Sequence, residues 1–104
     1  MSNMMIQLNY TQAMEQAEQL SKVAGEMKDL AEEEVTKLIT DLGSCGEGEN
    51  AAAYIAKVDI LKRNLKKTAE DIEKTATTIR DMATNIYNAE MEAEKVAEVR
   101  TFNQ

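Results

Sequence analysis

The chain has 104 residues, 43% of them hydrophobic, with only four aromatic side chains (Tyr10, Tyr54, Tyr87 and Phe102) and a formal charge of −7. That supply fills a thin helical core, and the acidic balance repels phosphate backbones and anionic lipid head groups, which sets nucleic acid aside. No histidine is present and Cys45 is the only cysteine, so histidine-based catalysis, the usual zinc and copper ligand sets and an internal disulfide are all excluded.

The chain opens without a positive segment leading into an apolar one, and no apolar run approaches the ~20 residues of a membrane span. The sequence therefore predicts neither a span nor an ordinary cleavable signal. Met4-Met5-Ile6-Gln7-Leu8 is short and apolar, and Asn9 after it can cap a helix by accepting an orphan amide of the first turn. Helix one is expected over about 10–42. Its inward positions read Ala13, Ala17, Leu20, Ala24, Met27, Ala31, Val35, Leu38 and Leu42, at steps of three and four with one four-four step, and Val23, Leu30 and Ile39 widen the stripe.

A turn follows at 43–49, where Gly43, Gly46 and Gly48 supply the backbone freedom to reverse the chain, and Cys45 reads as a tolerated small loop residue. Helix two is expected over about 50–98, with Asn50 as its cap and short tails beyond. Its seam runs through Ala51, Tyr54, Val58, Leu61, Leu65, Thr68, Ile72, Thr75, Ile79, Met82, Ile86, Ala89, Ala93 and Val96, a repeat of 3.5 with no proline or glycine after Gly48. Ala69, Ala76 and Ala83 recur beside it every seven residues.

So short a loop forces the helices antiparallel, with facing residue numbers adding to about 92. Asp29, Glu32, Glu33 and Glu34 then lie near the height of Lys62, Arg63, Lys66 and Lys67, which supports the register. In that register helix one covers helix two only to about residue 82, and Ile86, Ala89, Ala93 and Val96 extend beyond it. Stripes this broad belong to bundles. The expected fold is therefore all-α, an antiparallel two-helix hairpin forming a single domain that dimerises into a four-helix bundle. Its interface is expected to draw on Met27, Leu38, Tyr54, Leu61, Leu65, Ile72, Ile79, Met82, Ile86 and Val96.

Catalytic chemistry finds little to work with. Glu32, Glu33 and Glu34 are adjacent and Glu90, Glu92 and Glu94 closely spaced, but paired acids need a cleft to shift their pKa values. Gly46-Glu47-Gly48 lacks the lysine of a phosphate-binding loop, and the Glu-x-x-His of carboxylate-bridged metal bundles is missing. The seven methionines read as core filling. The expectation is a non-enzymatic protein without a cofactor.

In its length, two helices, central glycine turn and acidic balance, the chain resembles the WXG100 or ESAT-6-like proteins of type VII secretion systems, over nearly its whole length. Ile6-Gln7-Leu8-Asn9-Tyr10-Thr11-Gln12-Ala13 is similar to that family's short extended start followed by an N-cap and helix one. Gly48 matches the glycine of its Trp-x-Gly motif, Gly46 stands where the tryptophan would be, and Tyr54 matches the aromatic residue that follows. Late in helix two the pattern of a hydrophobic residue, three others and an acid is met by Ile86 and Glu90. The resemblance implies a turn motif at Gly46 and Gly48, and an export signal at Ile86, Tyr87 and Glu90. As partners it implies a homodimer or a heterodimer with another helical hairpin, together with a secretion ATPase or a larger toxin. It also implies secretion without a cleavable signal peptide, from a cytoplasmic pool. Members without the tryptophan are often the second partner of a heterodimer or a targeting factor. The alternative reading from the residues alone is a cytosolic coiled-coil adaptor or chaperone, because coiled coils share one pattern of apolar spacing.

Overall fold

The structure is a computed structural model that describes residues 2–45 and 49–103. From Asn3 onward every described residue is helical: α1 spans Asn3–Asp29, a π-helical turn spans Leu30–Val35, α2 spans Thr36–Cys45 and α3 spans Glu49–Asn103. Two compact units result, one joining Met1–Leu20 with Lys74–Gln104 (unit 1) and the other consisting of Ser21–Glu73 (unit 2). Each is hairpin-like, an outgoing helical arm lying antiparallel to a returning one.

The outgoing arm starts earlier than its sequence suggests. Ser2, not Asn9, caps it: the Ser2 hydroxyl oxygen accepts from the Met5 N–H at 3.3 Å and the Ser2 carbonyl from the Ile6 N–H at 3.0 Å. Met4 to Leu8 are thus helical, and Ile6, at 2% exposure, is the largest fully buried side chain. Gly43 does not end the arm, which continues to Cys45. The Thr36, Thr40 and Ser44 hydroxyls donate to carbonyls four or five residues back, which satisfies them without leaving the helix. Gly46 and Gly48, the expected turn motif, lie outside the described residues.

In unit 2, the Ser21 hydroxyl donates to Glu73 at 3.1 Å and Lys66 Nζ meets Glu32 Oε1 at 3.5 Å. In unit 1, the rings of Tyr10 and Tyr87 have centroids 4.7 Å apart. Each pair sits a few positions beyond the register in which facing numbers add to about 92. With the earlier start of α1, this shift carries Asn3 alongside Met91, Glu94 and Glu98. The end of α3 is therefore accompanied by α1, which corrects the expectation that helix one covers helix two only to about residue 82.

The line of closest approach is made of alanine. Ala17, Ala24, Ala31, Ala69 and Ala76 are 0–2% exposed, and on α3 they continue a seven-residue line through Ile55, Lys62 and Ala83. Val58, Leu65, Ile72 and Ile79 flank that line, half-buried. The other half of the expected seam turns outward: Tyr54, Leu61, Met82, Ile86 and Val96 are all exposed. Both choices keep the flanking Val58 row. Methyl groups at the contact permit the small interaxial separation that larger side chains would prevent.

The π turn changes the phase of the outgoing arm. Ala17, Ala24 and Ala31 are seven residues apart and buried Val35 follows, but the heptad line resumes at half-buried Ile39, eight past Ala31, while Leu38 is 47% exposed. One added residue within Leu30–Val35 accounts for the step, as a π bulge does. The widened turn lets the Thr36 hydroxyl reach the Ala31 carbonyl, at 3.3 Å.

Two outcomes are expected. Ala69→Leu should cost about 1–3 kcal/mol in chemical denaturation, because the close line has no room for an isobutyl group. Deleting Glu33 should convert the π turn to α-helix and change stability by no more than about 1 kcal/mol, whereas deleting Asn64, in a helix with no such turn, should rotate everything after it and abolish cooperative melting.

Candidate protein-binding surface

With alanine inside, several large apolar side chains of unit 2 collect on one flank. In unit 2 the Ser21–Glu73 and Glu32–Lys66 contacts mark a polar flank. Helical spacing places Val23, Leu30 and Leu38 from the outgoing arm, and Tyr54 and Leu61 from the returning arm, on the opposite flank. All five are exposed, Tyr54 at 63% and Leu61 at 51%. Met27, Leu65 and Ile72 lie half-buried between these two rows, so the flank is a continuous apolar band two helices wide.

Unit 1 differs. Its returning arm presents Met82, Ile86 and Val96, with Ile79 half-buried, but the corresponding outgoing positions are Asn9 and Gln16. Among the ten residues expected at an interface, Leu38, Tyr54, Leu61, Met82, Ile86 and Val96 are therefore exposed, and Met27, Leu65, Ile72 and Ile79 are half-buried. Those in unit 2 are brought together on one flank. Val23 and Leu30, which widened the sequence stripe, belong to the same patch.

The three expected export residues share one surroundings in unit 1. A small cavity of about 150 Å³ is lined by Ile6, Tyr10, Ala13, Ile86, Tyr87 and Glu90 among others. Tyr87 leans on Tyr10 at an interplanar angle of 42°, while Ile86 is 53% exposed. Ile6 and Tyr10 were missed as partners of this segment because the opening was read as extended. Their signal was available, since Ile6, Tyr10 and Ala13 extend the steps of four and three backward from Ala17.

No helix among the described residues is long and apolar enough to cross a membrane, and no described group of three or more cysteine, aspartate or glutamate side chains is placed to hold a metal ion. The chain exposes 7837 Å² at 11.6 kDa, whereas a folded monomer of that mass typically exposes roughly 5,800 Å². An excess of about 2,000 Å² is more than the roughly 800 Å² that a standard interface removes from each partner.

A double-mutant cycle on Tyr10→Leu and Tyr87→Leu should give a coupling of about 0.5–1.5 kcal/mol beyond the two single effects, read by thermal or chemical unfolding. No family model, curated protein or solved structure matches this chain in comparison.

Proposed function

We propose that this chain is a non-enzymatic binding protein that pairs with another helical hairpin to form a four-helix bundle. In this reading it belongs to the WXG100-like substrates or targeting partners of a type VII secretion system, as the resemblance of its sequence implies. The observation that carries the binding role is the exposed band of Val23, Leu30, Leu38, Tyr54 and Leu61, backed by half-buried Met27, Leu65 and Ile72. Contiguous exposed apolar surface of this kind marks interaction sites in stable proteins. Tyr54 supplies the amphipathic aromatic group that is enriched among residues dominating interface energies.

The export role rests on Ile86, Tyr87 and Glu90, with a hairpin protein or larger toxin as cargo partner and a secretion ATPase as reader. Tyr87 is tied to Tyr10, so its replacement disturbs unit 1 as well. Ile86 is the cleaner probe. In cells that carry the secretion system, Ile86→Ala should leave the partner complex intact and reduce export at least severalfold. Normal export of this variant removes the signal assignment, and a wild-type chain that stays inside such cells with its complex formed identifies a cytosolic adaptor instead.

Light scattering tests the binding role directly. The purified chain, alone or with the products of neighbouring genes, should form a complex that Leu61→Glu weakens by about a hundredfold, consistent with a charge buried at the centre of an apolar interface.

A further inference from the structure

We infer that the cavity of unit 1 is a binding site for a small organic ammonium ion, held by the rings of Tyr10 and Tyr87 and the carboxylate of Glu90. The site shares Tyr87 and Glu90 with the proposed export segment, but it needs neither export nor a partner chain.

Glu90 interrupts the inner line of α3. Ala69, Ala76 and Ala83 succeed one another at seven-residue steps, and the next step falls on Glu90, which is half-buried. It lines the cavity of about 150 Å³ beside Tyr10 and Tyr87, with Ile6, Ala13 and Ala83 among the apolar walls. A carboxylate drawn out of water in this way is stabilised only by a hydrogen-bond donor or a cation. Within the described residues Glu90 has neither.

The walls of the cavity cannot provide that cation. Residues 2–21 and 81–94, which contribute every lining residue, contain six acids and no lysine or arginine. Arg80 is ten positions before Glu90, about 15 Å along the helix at 1.5 Å per residue. Lys95 lines a different cavity, with Asn3 and Glu94. A positive charge at Glu90 therefore has to come from solution.

The aromatic pair decides what kind of cation fits. The rings of Tyr10 and Tyr87 have centroids 4.7 Å apart and are inclined at 42° to each other instead of stacking flat. Faces of tyrosine rings attract ammonium groups, most strongly where water is displaced. The volume equals that of about five waters at roughly 30 Å³ each, and an apolar cavity of similar size in another protein holds benzene. A trimethylammonium group is small enough to enter, buries its methyl groups against Ile6, Ala13 and Ala83, and brings its charge to Glu90. A metal ion gains nothing from rings and methyl walls, and no described group of three or more acidic or cysteine side chains is placed to hold one. An uncharged guest would leave Glu90 uncompensated, and an anion would meet it as a like charge.

Choline is the probe, and its control is the uncharged analogue in which carbon replaces the nitrogen. Both are titrated into the purified chain at constant ionic strength and followed by NMR of the Ile6, Ala13 and Ala83 methyl groups. Choline should saturate with a dissociation constant on the order of millimolar, shift these methyl signals and give contacts from its own methyl protons to the Tyr10 and Tyr87 rings. The neutral analogue should bind at least about tenfold more weakly, and Glu90→Gln should weaken choline by a similar factor. Tyr87→Phe keeps the aromatic face and should retain the affinity, whereas Tyr87→Leu should lose it, with circular dichroism reporting the helicity of each variant. Phosphocholine should bind less tightly than choline, because its phosphate meets an acidic surround; tighter binding would overturn the free-ion assignment in favour of a lipid head group. Absence of saturable shifts up to about 50 mM choline, equal affinity for the neutral analogue, or a Glu90→Gln chain that binds like wild type would each overturn the site. Because the readout uses the purified chain alone, failure of choline to bind leaves the pairing and export roles standing, and failure of export leaves this site standing.

Discussion

The close approach of two helical arms along a line of alanine is the constraint on which the other features depend. Ala17, Ala24, Ala31, Ala69 and Ala76 make up most of the buried line between the arms, where Ile6 and Val35 are the buried branched side chains. The chain carries many other large apolar side chains, and they are displaced to the flanks. A methyl group buries little area, so the interior contributes modestly to stability, and the unburied Leu, Ile and Tyr side chains hold a large unused hydrophobic potential. An alanine-lined pair and an exposed apolar band are therefore two results of one packing choice.

Electrostatics follows the same division. On the polar flank of unit 2 the arms are joined by Ser21–Glu73 and Glu32–Lys66, while Asp59 and Arg63 pair along one helix at 3.3 Å. These contacts are exposed or only part-buried, and such pairs contribute little individually. Their effect is to fix which flank of each arm faces which way, and so to keep the apolar rows of both arms on the same side. Lys62 sits half-buried on the inner line of α3, where a long aliphatic stem can cover apolar surface.

Much of the fold was legible in the sequence, and the failures have physical causes. The helical arms, their antiparallel pairing and the apposition of Glu32 with Lys66 were readable from periodicity and charge. The choice of seam was half right: Val58, Leu65, Ile72 and Ile79 can pair with the Tyr54 row on one side or the Ala69 row on the other. A hydrophobicity criterion selects the larger residues, whereas close packing selects the smaller ones. The π turn left only a single irregular step in the spacing, because one extra residue changes phase without changing composition. The resemblance implies an extended opening with Asn9 as cap, but Ser2 caps the helix instead and allows Ile6 to be buried. For the candidate surface, the spacing places Tyr54, Leu61 and Leu38 both in the apolar seams and at the expected interface, and they lie exposed because the smaller alanines take the interior.

Because the inner line consists almost entirely of alanine, the residues that close the arms are different from those that meet a partner. Substitutions at Leu30, Leu38, Tyr54 or Leu61 alter a surface without disturbing the contact that defines the hairpin, whereas Ala69 and Ala76 tolerate almost nothing larger than themselves. Descendants of such a chain could exchange binding specificity by drift along one flank while inheriting an unchanged scaffold, a separation that proteins with a shared core and interface do not possess.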